Sequence, residues 1–264
     1  MTKTILITGA TDGIGLLTAR MLAAEGHHVL LHGRSEEKLK AAAREVGGGA
    51  EAWRADLSRL DEAAALADGV RARHQRLDVL INNAGVLKAP QPLTPEGMDV
   101  RFVVNTLAPY VLTRRLLPII PAEGRVVNLS SAAQAPVDVA AMMGKRRLAD
   151  MEAYAQSKLA LTIWTQEMAR AHPEGPAFIA VNPGSLLATR MVKEGFGVAG
   201  NDPRIGADIL RRAALSEEFA DASGTYFDND SGRFASPNPA ARDSRHVAEV
   251  MAAIEALTAS CLES

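Results

Sequence analysis

Seven short apolar runs alternate along the chain with longer segments of helical pattern, and this alternation restricts the fold more than any other feature. The runs are TILIT, HVLLH, AEAWRAD, LDVLINN, GRVVNLS, PAFIAVN and GTYFD. Continuous apolar runs are typical of strands buried on both faces, and strand–helix alternation is typical of parallel sheets covered by helices on each side. The sequence therefore predicts one α/β domain over residues 1–264, with a doubly wound parallel sheet of about seven strands.

Composition and charge narrow the class of function. The 264 residues are 47% hydrophobic, which suits one domain with a sizeable core. The net charge is −2 and no basic block occurs, so we expect no nucleic-acid partner. No run approaches the ~20 apolar residues of a spanning helix, so we expect no membrane partner and a cytoplasmic location.

The cysteine and histidine content argues against a metal site. Cys261 is the only cysteine, so neither an intrachain disulfide nor a cysteine metal cluster can form. The histidines show no metal-ligand spacing around a carboxylate cluster, and surface or loop positions are the default expectation for them. They are His27, His28, His32, His74, His172 and His246. We therefore expect no metal.

The turn after the first apolar run contains three glycines, Gly9, Gly13 and Gly15, and opens the first predicted helix. A helix N-terminus carries unpaired N–H groups and the positive end of a dipole, and glycine lets a pyrophosphate approach the backbone. A tight turn without a ligand is the alternative, but the place between a strand and a helix favours a dinucleotide site. Cofactor contacts are also expected from Thr11, Asp12 and Ile14 of this turn.

The end of the second run bears on which dinucleotide binds. A ribose with two free hydroxyls is normally held by an acid, whereas a 2′-phosphate requires a base. The run ends in Arg34 and Ser35, and the Arg34 guanidinium suits a phosphate. Ser35 is a plausible N-cap, with Glu36 and Glu37 in the first helical turn. NADP(H) is therefore favoured and NAD(H) remains possible, since Arg34 could instead be a solvated surface base.

Further motifs follow the glycine turn in a fixed order. They are NNAG at 82–85, VVNLSS ending at Ser131, YAQSK from Tyr154 to Lys158, and VNPG ending at Gly184. Together they closely resemble the short-chain dehydrogenase/reductase family over nearly the whole chain. The resemblance implies a single-domain Rossmann fold and an NAD(P)-dependent oxidoreductase acting on CH–OH groups.

Four residues match the catalytic positions of that family. Tyr154 and Lys158 lie at i and i+4, on one helix face, and an adjacent ammonium favours the phenolate. The resemblance implies that Tyr154 exchanges a proton with the substrate oxygen, that Ser131 hydrogen-bonds this oxygen, and that Lys158 holds the nicotinamide ribose. Asn105 matches the helix asparagine that holds a water linking Lys158 to solvent. Side chains alternate along a strand, so either Ser130 or Ser131 faces the site, and the resemblance selects Ser131.

The resemblance also places the remaining cofactor contacts. It puts Asp56 and Leu57 beside the adenine, Asn83, Ala84 and Gly85 along the adenosine side, and Pro183, Gly184 and Ser185 beside the nicotinamide. Thr189 matches a threonine that binds the carboxamide or the phosphates, although it stands one position later than is usual in the family.

The chain departs from the common pattern before Tyr154. Ser131 and Tyr154 are 23 positions apart, a longer separation than in many members, so residues 135–151 are interpreted as an insert. Such an insert resembles the retinol dehydrogenase and carbonyl reductase branch. It could cover the Tyr154 helix and weaken tetramer formation, which favours a monomer or homodimer. Met142 and Met143 could line a pliant apolar pocket or lie buried in a surface elaboration.

Residues 186–203 are expected to form a substrate lid. Its apolar side chains favour a hydrophobic ketone, aldehyde or secondary alcohol. They are Leu186, Leu187, Met191, Val192 and Phe196. The sequence thus predicts an NADP(H)-dependent carbonyl reductase or alcohol dehydrogenase of small hydrophobic molecules. One alternative is an NAD-preferring alcohol dehydrogenase. The other is a non-catalytic dinucleotide-binding regulator, and the presence of all four residues that match catalytic positions disfavours this second alternative.

Overall fold

The computed structural model describes residues 1–188 and 200–263, which form one eight-stranded sheet in the order β3-β2-β1-β4-β5-β6-β7-β8. The strands are β1 Thr4–Ile7, β2 His28–Gly33, β3 Glu51–Arg54, β4 Val79–Asn82, β5 Arg125–Leu129, β6 Ala177–Asn182, β7 Tyr226–Asp228 and β8 Arg233–Ala235. The first seven pair in parallel, and β8 pairs antiparallel with β7. The doubly wound parallel sheet is therefore confirmed, with one additional short strand at its edge.

Helices cover both faces of this sheet. They are α1 Gly13–Ala24, α2 Glu36–Val46, α3 Leu60–Arg73, α4 Val100–Phe102, α5 Ala108–Leu116, α6 Val139–Met142, α7 Asp150–Ala171, α8 Arg204–Leu215 and α9 Ser244–Leu262. Side chains alternate along β1, so Ile5 and Ile7 join the core under α1, α2 and α8, whereas Leu6 joins the core under α3, α5, α7 and α9. No helix among the described residues is long and apolar enough to cross a membrane.

Because the central strands are parallel, their carboxyl ends lie together along one edge of the sheet, the edge formed by strand ends rather than by an outer strand. The chain order reverses between β1 and β4, and ligands of open α/β sheets bind at such a switch point. The glycine turn follows β1, and Ser131 follows β5. The NNAG motif begins at Asn82, the last residue of β4. The sheet thus brings together motifs that are far apart in sequence.

The helical stretch that follows β4 is interrupted. A π-helical segment, Val103–Leu107, lies between α4 and α5, and the amide of Ala108 donates to the carbonyl of Val103, five residues back. Such bulges recur at functional sites because they redirect one side chain. Here the segment contains Asn105.

Residues 135–151, the predicted insert, pack against α7. Asp138 caps α6 by accepting from the Ala141 amide at 3.1 Å, and its own amide donates to Gln156 Oε1 on α7 at 2.8 Å. Met142 is fully buried in the core, and Met143 is partly buried against it. Met142 is therefore a core side chain rather than the lining of an open pocket.

Candidate active site

Tyr154 and Lys158 share one face of α7, as their spacing predicts. Lys158 Nζ lies 5.6 Å from the centre of the Tyr154 ring. The Lys158 side chain is buried, and Nζ donates a 2.7 Å hydrogen bond to the carbonyl of Leu129 at the end of β5. Burial lowers the pKa of Lys158 to about 8 because a charged amine is poorly solvated there.

The Tyr154 side chain hydrogen-bonds to that of Ser131. Burial raises the pKa of Tyr154, and the Ser131 hydrogen bond offsets only part of this increase. The spacing of Tyr154 and Lys158 predicts that the ammonium favours the phenolate, but burial is the larger effect in this structure. The phenol is therefore protonated at neutral pH and able to donate a proton.

The two neighbouring serines face different ways. Ser130 is buried, and its Oγ lies 2.7 Å from Thr162 Oγ1 on α7. Ser131 is partly exposed, contacts Tyr154, and also accepts from the Ala133 amide at 3.1 Å. Alternation along the strand end thus brings Ser131, and not Ser130, to the tyrosine.

Asn105 joins the segment after β4 to α7. Its Nδ2 donates to the Val86 carbonyl at 2.9 Å and to Ser157 Oγ at 3.0 Å, while its Oδ1 accepts from the Val86 amide at 2.8 Å. Ser157 immediately precedes Lys158. The amide of Asn105 therefore ties Val86 to the residue that precedes Lys158, and its predicted water stays a prediction.

The glycine turn leaves no room for a side chain at Gly9 or Gly15. Gly9 has φ +65°, and a Cβ on Gly15 would lie 2.3 Å from the Gly9 carbonyl oxygen and 2.5 Å from Asn83 Nδ2. Asn83 Nδ2 donates to the carbonyls of Thr8 and Gly9 at 2.9 and 3.0 Å. Asp12 precedes α1 without a capping hydrogen bond from its side chain within the described residues. Uncapped helix amides beside a turn whose glycines leave the backbone bare fit a dinucleotide pyrophosphate.

The comparisons with known proteins agree with this geometry. Residues 3–196 match the model of the short chain dehydrogenase family. The chain belongs to the short-chain dehydrogenase family. It is 33% identical to human retinol dehydrogenase 13 over 91% of this chain and 80% of that protein.

Solved structures show the same fold. A crystal structure of an uncharacterized protein from Mycobacterium paratuberculosis is 32% identical, with a TM-score of 0.81 over 97% of this chain and 93% of that one. A metagenomic short-chain oxidoreductase in complex with NADP is 33% identical, with a TM-score of 0.63 over 82% and 93% of the two chains. This short-chain dehydrogenase is thus an NAD(P)-dependent oxidoreductase of the retinol dehydrogenase-like branch, acting on CH–OH groups of small molecules.

His32 supports the glycine turn of this dehydrogenase, a role that sequence reasoning missed. The Gly9 amide donates to His32 Nδ1 at 3.2 Å, and His32 Nε2 lies 3.1 Å from the Ala55 carbonyl. The ring is therefore neutral, with its proton on Nε2. Burial lowers the pKa of His32 to about 4. The default expectation of a surface or loop position was wrong for His32, and its place at the end of an apolar run was the available signal.

Arg34 and Ser35 follow β2 at the surface. Ser35 caps α2 by accepting from the Lys38 amide at 3.3 Å, as predicted, and Glu36 pairs with Lys40 at 2.6 Å. The Arg34 side chain is exposed and makes no ion pair or hydrogen bond with any residue that the structure describes. Its guanidinium is thus available to a ligand at the end of β2.

The other predicted adenosine-side residues lie around the same edge. Asp56 Oδ1 accepts from the amide and hydroxyl of Ser58 at 3.0 and 2.8 Å, and Leu57 is buried. The Ala84 amide donates to Thr8 Oγ1 at 3.0 Å, and Gly85 follows it. Thr11 contacts this edge too, since a Cβ on Gly33 would lie 2.5 Å from Thr11 Cγ2.

The Pro183–Gly184–Ser185 loop after β6 is held by residues that the sequence analysis did not single out. Asp230 Oδ1 accepts from the Ser185 amide at 2.7 Å, and Asp230 Oδ2 accepts from the Ser185 hydroxyl at 2.5 Å. Asn229 Nδ2 donates to the Pro183 carbonyl at 2.9 Å. The turn between β7 and β8 therefore fixes this loop. No local pattern indicates the contact, because the two segments are about 45 positions apart.

Part of the predicted site falls outside the described residues. Of the predicted lid, Leu186 is exposed with φ +52°, and Leu187 is buried against Gly206 of α8. The predicted cofactor contact Thr189 and the predicted lid residues Met191, Val192 and Phe196 lie outside the described ranges.

Proposed function

We propose that this short-chain dehydrogenase uses NADP(H) to interconvert a carbonyl and an alcohol on a hydrophobic small molecule, with Tyr154 as the general acid and base. The observation that carries the proposal is the contact of Ser131 with Tyr154, beside buried Lys158. This group lies at the same sheet edge as a glycine turn suited to a pyrophosphate.

The proton step follows from the protonation states of these side chains. A protonated Tyr154 donates its phenolic proton to the carbonyl oxygen as negative charge develops there, and Ser131 hydrogen-bonds the same oxygen. When bound, the nicotinamide ring would supply the hydride for reduction or accept it for oxidation. Lys158 and the Pro183–Ser185 loop would hold the nicotinamide half, and the glycine turn would hold the pyrophosphate.

Arg34 supports the preference for NADP(H). Its exposed guanidinium follows β2, where a base suits a 2′-phosphate, and an NADP-bound short-chain oxidoreductase is among the structural neighbours. An NAD-preferring alcohol dehydrogenase is the competing assignment.

The substrate class follows from the relatives and from the predicted lid. A retinol dehydrogenase is among the relatives, which favours an apolar alcohol or the corresponding aldehyde or ketone. Leu186 is exposed beside the Gly184 loop. The packing of residues 135–151 on α7 supports a monomer or homodimer.

A coenzyme oxidation assay tests this proposal. NADPH or NADH is followed by absorbance with a panel of apolar ketones, aldehydes and diketones. We expect turnover with NADPH on apolar carbonyls and much weaker turnover with NADH. Faster turnover with NADH would favour the NAD-preferring alternative, and NADPH binding without turnover on any substrate would contradict the enzyme proposed here.

A further inference from the structure

Three side chains that the proposed reaction does not use meet at the opposite edge of the sheet from the active site. His28 begins β2, Glu51 begins β3, and His74 follows the end of α3. His28 Nε2 lies 2.9 Å from Glu51 Oε1, and His74 Nε2 lies 3.3 Å from Glu51 Oε2. Among the described residues, this is a group whose ligand atoms all lie within 4.8 Å of one another.

No pattern in the sequence indicates this group of three residues. Successive members are 23 positions apart, far from the short spacings of helix or loop metal motifs, and only the pairing of β2 with β3 unites them. The absence of such spacings is the reason that no metal is expected from the sequence. The fold supplies the proximity that the spacing lacks.

The ligand types suit zinc. Two imidazole nitrogens and one carboxylate form a three-ligand set that leaves a coordination position for solvent. Bonds of about 2.0–2.2 Å place tetrahedral ligand atoms about 3.3 Å apart, within the range of separations seen here. Each imidazole would bind through Nε2 with its proton on Nδ1, a tautomer change that needs no backbone movement. Imidazole ligands favour zinc over magnesium.

The surroundings leave the group accessible and ordered. The side chains of His28, Glu51 and His74 are 31%, 24% and 14% exposed, so an ion can enter from solvent. The Trp53 ring lies beside the His74 ring, with centroids 6.1 Å apart, and restricts it. Arg73 NH1 lies 3.3 Å from Glu51 Oε2 and would compete with a cation. Its side chain also lies over the Trp53 ring, 5.5 Å from the ring centre, but it is 65% exposed and can turn toward solvent.

We propose that His28, Glu51 and His74 form a binding site for one divalent cation of the zinc class. The site is structural rather than catalytic, since it lies at the amino ends of β2 and β3. It would fasten the start of both strands to the end of α3. The same strands lead to His32 and Ala55, which support the glycine turn, so the cation would stiffen the adenosine side of the cofactor site. This inference does not depend on the proposed substrate or coenzyme.

Calorimetric titration with zinc chloride tests the site on untagged, chelator-treated protein. We expect one zinc ion per chain, at least about tenfold weaker binding in Glu51→Gln and His74→Gln, and unchanged binding in the neighbouring control His27→Gln. Magnesium chloride should not bind. Absence of zinc binding to the natural protein, or equal affinity in all of these variants, would overturn the proposal.

Arg73→Ala keeps the test decisive if a ligand variant folds poorly. It removes the competing guanidinium and leaves all three ligands in place, so zinc should bind more tightly than to the natural protein. Circular dichroism without zinc establishes that each variant is folded. Unchanged or weaker zinc affinity in folded Arg73→Ala would contradict the proposed position of the ion at Glu51.

Discussion

His32 and Arg34 stand two residues apart at the end of β2 and differ in their surroundings. His32 is buried and neutral, and it holds the Gly9 amide and the Ala55 carbonyl. Arg34 is exposed and positively charged. The position of Arg34 after an apolar run predicts a phosphate contact from sequence, and that contact stays a prediction. The role of His32 depends on segments that only the folded sheet brings together.

Replacing Arg34 tests the coenzyme preference. If Arg34 contacts the 2′-phosphate, Arg34→Ala should raise the Kd for NADPH about tenfold to a hundredfold and leave the Kd for NADH nearly unchanged. Binding is measured by fluorescence titration. Arg44→Ala, an exposed arginine on α2, is the matched control and should change neither constant. An unaltered NADPH Kd in Arg34→Ala would show that the phosphate lies elsewhere.

The buried His32 predicts a pH dependence of stability. Its pKa is lowered from 6.5 to about 4 on folding, so the unfolded chain binds more protons between these values. The contribution of neutral His32 to the unfolding free energy is complete above pH 6.5 and is lost as the pH falls toward 4. Between pH 7 and 5 this loss is about 2 kcal/mol of unfolding free energy. Urea unfolding at both pH values should show it in the natural protein.

The control for that experiment is His32→Gln, which lacks the titrating ring. Its unfolding free energy should depend less on pH over this interval, by about the same amount. Equal pH dependence in the two proteins would mean that folding does not lower the pKa of His32.

At the scale of elements, the sequence predicted the parallel strands and long helices because continuous apolar runs and helical periodicity mark them directly. It missed β8, which has three residues, and the π segment Val103–Leu107, whose single added residue leaves no periodic signal. The candidate catalytic residues followed from motifs. The hydrogen bonds from Ser185 to Asp230 could not be predicted from a motif, because they join two loops that are far apart in sequence.

The hydrogen bonds between the β7–β8 turn and the Pro183–Ser185 loop lead to a prediction for coenzyme binding. Asp230→Ala releases both the amide and the hydroxyl of Ser185, so the loop loses its fixed position. We expect the Kd for NADPH to rise about fivefold to thirtyfold, as measured by titration. Asp221→Ala, at an exposed site before β7, should leave the constant unchanged. The same constant in Asp230→Ala and the natural protein would exclude a positioning role.

At the scale of the whole molecule, the sheet separates two sites. The carboxyl ends of the central strands carry the glycine turn, Ser131 and the Gly184 loop, and the amino ends of β2 and β3 carry the proposed cation site. The cores under both helical layers hold these strands in register. Residues far apart in sequence therefore meet where the ends of neighbouring strands lie side by side.

The most direct test of the proposed function is the comparison of Tyr154→Phe with the natural protein on a substrate that the natural protein reduces. The phenylalanine keeps the ring beside Lys158 but cannot donate a proton. We predict a loss of kcat on the order of a hundredfold to ten-thousandfold, with the Kd for NADPH nearly unchanged. Retention of full kcat in a folded, NADPH-binding Tyr154→Phe variant would contradict the assignment of Tyr154 as the proton donor.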